Sequence, residues 1–476
     1  MPVIQPHFGH LAVQFRPGAR PADKRAAALH CHLEAYSSRH DLPGESYALV
    51  PVAAGTGDDR VRHRRAMAAL GRHRHVIDTN RVFRHRKTLV VVTDRIWVGL
   101  SAGSKGQAVL AGIRRRGGTL VRRHGSDFLI RLPVGLDPGR ECARLARLAA
   151  VEYAEPDHVI MGRSLTAATR KPARRVQAAL ATIRVSEAWR LQTIDRSTVV
   201  AVLDCGVDAT HPDLRGAITR HFNVTGHGSA IRPAPWDSHG TECAGLVAAI
   251  GRPGGLRGVA GGCGLFAIRT GYTPNRLDGI YVTKVSWQVE GIEWAWRNGA
   301  GVLSMSVVGG PRATPVERAL ARARTLGREK RGTVLVAAAG NDGAAHVAFP
   351  ASAAGVLGVA ATYSRGRRAS FSNWGAAIDL AAPGVNITTT TIPDPTEDEL
   401  GLYFTDSGTS LATPIVAGVA ALVLAANSTL RAGQVQALLT ATASGSKRRN
   451  PRVGAGVVNA ATAVRAAQAL PTRPAR

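Results

Sequence analysis

The chain has 476 residues, 45% of them hydrophobic and 20% charged, with a formal net charge of +28 and five cysteines. That length predicts two or more domains, and the composition is that of a globular protein with a sizeable core. An odd cysteine count without paired spacing excludes a disulfide framework and a cysteine metal site, and no apolar run reads as a membrane span.

In chain order, the start MPVIQPHFGHLAVQFRPGARPAD has neither the basic nor the apolar segment of a secretory leader, so a cytoplasmic protein, or one exported by a route the sequence does not display, is expected. Residues 1–90 form a basic N-terminal extension of unassigned fold, with a strand at HLAVQF, a helix at DKRAAALHCHLEAYSS and a strand at ESYALVPVA. Residues 91–162 are more regular. TLVVVTDRIWVGL is a long β-type run, KGQAVLAGIRRRG a helix, TLVRRHGSDFLIRLP a pair of strands, GRECARLARLAA an amphipathic helix and VEYAEPDHVIM a strand. This β-α-β-β-α-β order predicts a small ferredoxin-like α+β domain. Residues 163–180, polar and basic with few apolar anchors, read as a linker. The basic runs RVRHRRAM, GRHRHV, RVFRHRK, IRRRGG and RKPARR all precede residue 180. Such a front half attracts anions, yet the runs lack the interleaved aromatics that stack bases, and nucleic acid is not read as a partner.

From residue 181 to about 470 the pattern becomes strand–helix alternation. TVVAVLDCGVD, LFAIRT, VLSMSVV, TVLVAAAG and VLGVAAT are strands. TECAGLVAAI, VSWQVEGIEWAWRNG, PVERALARARTLGRE and SLATPIVAGVAALVLAA are helices. The fold class is therefore α/β, a doubly wound parallel sheet with its ligands at the carboxyl ends of the strands. Asp204 and Asn341 stand at such ends.

Three segments then belong together: VVAVLDCGVDATHPDL with Asp204, DSHGTECAG with His239, and DSGTSLATPIVAG with Ser410. A serine hydroxyl needs a base to become a nucleophile, and the base needs an acid to fix its tautomer. Taken singly, Asp204 reads equally as a turn or helix cap, Ser410 as a helix cap and His239 as a structural histidine. Jointly, the order Asp–His–Ser is one arrangement of the catalytic triad.

On these residues the chain resembles the subtilisin-like serine proteases, or subtilases, from about Ile183 to about residue 465. DCGVDATHPDL resembles the family's Asp motif, HGTECAG its His motif and GTSLATPIVAG its Ser motif, while AAAGND places Asn341 at the oxyanion-hole position. The resemblance implies a serine endopeptidase acting on protein or peptide substrates through an acyl-enzyme, with no cofactor for the chemistry. VEYAEPDHV and TDRIWVGL are similar to the last and first strands of the family's inhibitory propeptide. A prodomain acting as intramolecular inhibitor, cut between Met161 and Leu180, is the implied arrangement. The alternative is a catalytically silent binding module of the same fold, held closed by its basic N-terminal region; the four filled catalytic positions speak against it.

The resemblance also assigns Ser306, Val307 and Val308 to the edge that receives the substrate backbone, and Ala338, Ala339 and Gly340 to the opposite wall. The family pattern usually has glycine where Val308 stands, and Ala348 falls near the pocket base, so small or apolar side chains are expected at the cleavage position. Asp213 matches a ligand of the family's tight calcium site, but the partner loop IGRPGGLRGVA carries Arg252 where a ligand is expected and offers no carboxylate, so that site is expected to be absent. Cys243 falls where one branch of the family has a buried thiol, and Cys205 follows Asp204; both read first as small apolar fillers.

Overall fold

The computed structural model describes residues 5–16, 18–37, 41, 47–104, 106–163, 171–172, 178–274, 280–307, 309–394, 401–445 and 450–472. It divides into two units: Met1–Arg163 with Pro274–Ser286 and Ala313–Pro315, and Ser164–Thr273 with Trp287–Arg312 and Val316–Arg476.

The first unit runs β1 (Gln5–Phe15), α1 (Pro21–His30), β2 (Tyr47–Pro51), α2 (Asp59–Leu70), β3 (Val76–His85), β4 (Thr88–Leu100), α3 (Gln107–Arg115), β5 (Thr119–His124), β6 (Asp127–Arg131), α4 (Pro138–Leu145) and β7 (Val151–Arg163). From β4 onward the order is β-α-β-β-α-β. Strand β4 lies between β6 and β7, β5 lies outside β6, and every pairing is antiparallel. Alternation makes one face of this sheet apolar: Ile96, Val98 and Leu100 on β4 join Phe128 and Ile130 on β6, and Val109 and Ile113 of α3 pack on them. The sheet does not stop at residue 90. It continues through β3 and β1 to β2, again antiparallel, with α1 and α2 closing a core of Leu11, Val13, Phe15, Ala27, Ala66 and Leu70. A strand at Ile280–Lys284 in the same unit pairs antiparallel with the end of β7, and its fully buried Lys284 faces Asp157 at 3.6 Å. Of the expected linker, residues 164–170 and 173–177 lie outside the described residues.

The second unit runs α5 (Val185–Leu191), β8 (Val199–Asp204), β9 (Ile218–Asn223), α6 (His239–Ala248), β10 (Gly264–Arg269), α7 (Val285–Arg297), β11 (Val302–Met305), α8 (Thr314–Lys330), β12 (Val334–Ala338), β13 (Leu357–Thr362), β14 (Leu380–Pro383), β15 (Ile387–Thr390), β16 (Tyr403–Asp406), α9 (Thr409–Ala426), α10 (Ala432–Ala441) and α11 (Ala460–Gln468). Seven strands form one parallel sheet in the order β9-β10-β8-β11-β12-β13-β14. The chain winds from β8 to one side, then crosses back over it to build the other. The end of β8 is thus the crevice where such sheets bind ligands, and Asp204 is its last residue. Most of these strands are apolar on both faces because helices cover both.

Helix α9 spans 18 residues with mean hydropathy 2.0, long and apolar enough to cross a membrane by length and composition. It is the central core helix instead: Ile415, Val416 and Val419 pack in the cluster that holds Val200 and Val202 of β8. A helix apolar all round is what a position inside a large core requires.

Candidate active site

Asp204 is fully buried where β8 ends. Its Oδ1 accepts from the Cys205 amide at 2.8 Å, and its two oxygens lie 2.9 and 3.0 Å from Nδ1 of His239. A carboxylate on Nδ1 assigns the proton there and leaves Nε2 as the basic nitrogen. His239 is the first residue of α6. It can stand so close because Gly240 has no side chain: a Cβ there would fall 2.0 Å from the Gly206 carbonyl oxygen and 3.2 Å from Cβ of Asp204. The glycine of the His motif is therefore a steric requirement of the pair.

Ser410 is the second residue of α9 and is buried. The helix cap is Gly408, not Ser410, so capping does not account for the serine. A Cβ on Gly408 would lie 2.8 Å from Oγ of Ser410 and 3.4 Å from Nδ2 of Asn341, which puts both atoms against the same glycine. Asn341 is oriented by its oxygen: Oδ1 accepts from the Thr409 amide at 2.9 Å and from Oγ1 of Thr409 at 2.7 Å. Its Nδ2 is buried and, among the described residues, makes no hydrogen bond; the same holds for Nε2 of His239.

The electrostatics follow from burial and charge. Burial acts to raise the Asp204 carboxyl, but the charge and hydrogen bond of His239 outweigh it and hold it below the usual carboxylate range. Burial acts to lower His239, and Asp204, followed by Glu242 and Asp406, overrides that and raises it to about 9.

Of the expected binding residues, Ser306 is buried and its Oγ donates to the Ser410 carbonyl at 2.9 Å, while Val307 is partly exposed. Val308 lies outside the described residues. Ala338 and Ala339 are buried, and Gly340, at φ +102°, donates its amide to Oγ1 of Thr409 at 3.2 Å. A Cβ on Gly340 would meet Nδ2 of Asn373 at 2.4 Å and Cβ of Ala348 at 3.3 Å, so Ala348 lies against this wall. The structure thus gathers Asp204 with His239, and Asn341, Gly340 and Ser306 with the start of α9.

Both thiols sit in the constellation. Sγ of Cys205 donates to the Asp237 carbonyl at 3.0 Å and accepts from the Gly240 amide at 3.1 Å, linking the Asp204 strand to the His239 helix. Sγ of Cys243 donates to the Ser410 carbonyl at 3.4 Å. Burial pushes both thiols well above their ordinary range, so they are neutral donors. Sequence reasoning missed the ion pair behind them: Nη2 of Arg269 lies 2.9 Å from Oδ2 of Asp237, both nearly inaccessible. It also missed Glu242 and Asp406, buried acids near His239.

Asp213 was the candidate calcium ligand. Its Oδ1 takes Nε of Arg252 at 2.7 Å, and its Oδ2 takes the Leu256 amide and the Tyr403 hydroxyl, each at 2.8 Å. A carboxylate engaged by a guanidinium and two further donors does not fit a divalent cation, which would be repelled by Arg252.

Comparison with known proteins gives the family. The model of the Subtilase family matches residues 195–456, more than half of the chain. The chain is similar to the M-protease of Shouchella clausii (strain KSM-K16), 38% identical over 270 residues that cover 56% of this chain and 64% of that protein. It is similar to Subtilisin Savinase of Lederbergia lenta, 38% identical over 272 residues covering 56% of this chain and 90% of that protein. A subtilisin of Bacillus pumilus is 37% identical over 255 residues, covering 52% of this chain and 83% of that protein. The match therefore spans just under two thirds of the M-protease and more of the other two.

Proposed function

This chain belongs to the subtilase family of serine endopeptidases, and from that premise we propose that it hydrolyses protein or peptide substrates through a Ser410–His239–Asp204 triad. Oγ of Ser410 attacks the scissile carbonyl as Nε2 of His239 takes its proton, and the imidazolium returns that proton to the leaving amine. Asp204 holds the ring by Nδ1 and stabilises its charge. The negative oxygen of the tetrahedral intermediate is received by Nδ2 of Asn341 and the backbone N–H of Ser410, a free amide of the first helical turn. Water then releases the acyl group by the same proton route. Subtilases need no cofactor for this chemistry.

The observation that carries the reading is the buried Asp204 carboxylate 2.9 and 3.0 Å from Nδ1 of His239, which fixes the proton there and makes Nε2 the base. Asn341 is oriented through its Oδ1 by Thr409 at the start of the Ser410 helix, which leaves Nδ2 as the donor for the oxyanion.

Residues 91–162 are proposed to act as an intramolecular inhibitor, with maturation by cleavage between Met161 and Leu180. The order of β4 to β7 supports a propeptide-like module. Ser410→Ala is expected to abolish both proteolysis and self-cleavage of the full chain, and a fluorophosphonate probe is expected to label the wild type alone. Equal labelling of the two proteins would refute the triad.

A further inference from the structure

In the second unit, strand β13 ends at Thr362, and the chain returns in a tight turn that pairs Thr362 with Arg368. The Tyr363 amide donates to the Arg367 carbonyl at 2.9 Å, and the Gly366 amide to the Tyr363 carbonyl at 3.0 Å. Gly366 stands at φ +76°, the left-handed region that favours glycine. A second turn lies between α10 and α11. Asn450 and Gly454 exchange backbone hydrogen bonds of 2.9 Å each, and Oδ1 of Asn450 accepts from the amides of Arg452 and Val453 at 2.9 and 3.1 Å. The side-chain oxygen here does what a backbone carbonyl does in closing a turn. Both turns are set by local bonds, and each carries arginines.

The two turns line one cavity of about 540 Å³, whose walls include Arg367, Arg368, Asn450 and Arg452 and no carboxylate. Its guanidiniums are oriented. Arg367 lies over the Tyr363 ring, 5.1 Å from the centroid, and Arg452 over that of Trp374 at 6.0 Å, an arrangement that suits a planar cation. Nη1 of the half-buried Arg368 donates to the carbonyls of Ala369 and Ser370 at 3.1 and 3.3 Å and to that of Ser372. These bonds fix the Arg368 plane through one nitrogen. Among the described residues, its Nε and Nη2 and the side-chain nitrogens of Arg367 and Arg452 make no hydrogen bond, and none of the three has a carboxylate partner.

Like charges gathered round one cavity oppose each other. Burial, and then the charge of Arg452, lower the Arg368 guanidinium from its ordinary range. Elsewhere in the same unit such cations are matched from within the chain, Arg269 by Asp237 and Arg252 by Asp213. Here the matching charge has to come from solution. A guanidinium presents parallel N–H groups to the oxygens of one anion, and three of them together suit a group with several oxygens and more than one negative charge. A phosphoryl dianion has both properties. A carboxylate brings a single charge and fewer acceptors.

We propose that this cavity is a binding site for a phosphoryl group, free as inorganic phosphate or carried on a small ester, held by Arg367, Arg368 and Arg452. Arg368 supplies the fixed donors, and the two exposed, ring-stacked arginines supply the rest of the charge. The site shares no residue with Asp204, His239, Asn341 or Ser410, so it stands whether or not the triad performs the proposed reaction.

The test is isothermal titration calorimetry on the full-length Ser410→Ala protein, which cannot digest itself, at a pH near 8 with the ionic strength held by sodium chloride. Inorganic phosphate, O-phosphoserine and serine are titrated in parallel. Phosphate is expected to fill one saturable site, and serine to give no binding. Arg367→Met and Arg452→Met, made separately in the same background, should each weaken phosphate about tenfold, the effect of removing one charge-assisted donor group. Neither side chain holds a backbone group, so both variants should fold. Phosphoserine binding more tightly than phosphate assigns an ester as the ligand, and equal affinities assign the free anion; either result supports the site only with the loss in both variants. A heat that does not saturate, or an affinity that the two variants keep, would show general attraction to a chain of charge +28 and overturn the inference.

Discussion

Arg269→Met is the most informative perturbation of the frame behind the triad. Arg269 ends β10 beside Asp204 in the sheet register, and its guanidinium holds three loops. Nη2 reaches Oδ2 of Asp237 at 2.9 Å, Nε donates to the His227 carbonyl at 3.0 Å, and Nη1 donates to the Cys205 carbonyl. Asp237 is 2% exposed and takes the Thr273 amide on its other oxygen. Burial raises its carboxyl from 3.8 to about 6 even with Arg269 present. The folded state thus holds the Asp237 proton more tightly than the unfolded chain does. Its contribution favours folding at low pH and is lost as pH rises from 3.8 to about 6, a change worth about 3 kcal/mol. Methionine fills much of the space and removes the cation. Without Arg269 the Asp237 carboxyl moves higher still, and at pH 8 the variant must either bury an uncompensated carboxylate or take up a proton, for which losses of about 3–5 kcal/mol are typical. At pH 5 the carboxyl is largely protonated, and the loss shrinks to that of the neutral hydrogen bonds, about 1–2 kcal/mol. Urea unfolding followed by tryptophan fluorescence, in a Ser410→Ala background to prevent self-digestion, measures both. The expected result is a midpoint deficit clearly larger at pH 8 than at pH 5. An equal deficit at the two values would refute the claim that Arg269 acts by charge.

Asn341→Leu should lower kcat by about 10²–10³-fold with KM nearly unchanged, the range established on a member of this family; an unchanged kcat in steady-state kinetics would remove Asn341 from the oxyanion hole. A chelator should leave the melting temperature of the Ser410→Ala protein where it is, whereas Arg252→Ala should lower it by freeing one oxygen of the buried Asp213. A fall on chelation comparable to that of the substitution, read by calorimetry, would show a bound cation where the guanidinium now stands.

Much of the parallel sheet was legible because burial on both faces leaves a mark that needs no tertiary knowledge: VVAVLD and GLFAIR are apolar up to their last residue, and VLVAA throughout. Strand β9, ITRHFN, escaped because it is the sheet's edge and carries exposed polar residues. Helix α2 escaped for a related reason: it buries only His63, Ala66 and Leu70, a stripe one residue wide among arginines, which no periodicity test separates from a basic loop. The site divides along the same line. Asp204, His239, Asn341 and Ser410 stand at element boundaries flanked by glycines that the sequence displays, and each glycine has a steric cause. Glu242 and Asp406 share those glycines, yet nothing in the sequence shows that they, or the Arg269–Asp237 pair, are buried. Burial of a polar residue is decided by what the rest of the chain brings against it. Asp213 is the instructive exception. A single arginine in a loop without carboxylates was enough to argue against a cation there, because charge, unlike burial, is written in the residue itself. The distinction orders the experiments above: substitutions of boundary residues test chemistry the sequence announces, while Arg269→Met tests an electrostatic frame that exists only in the fold.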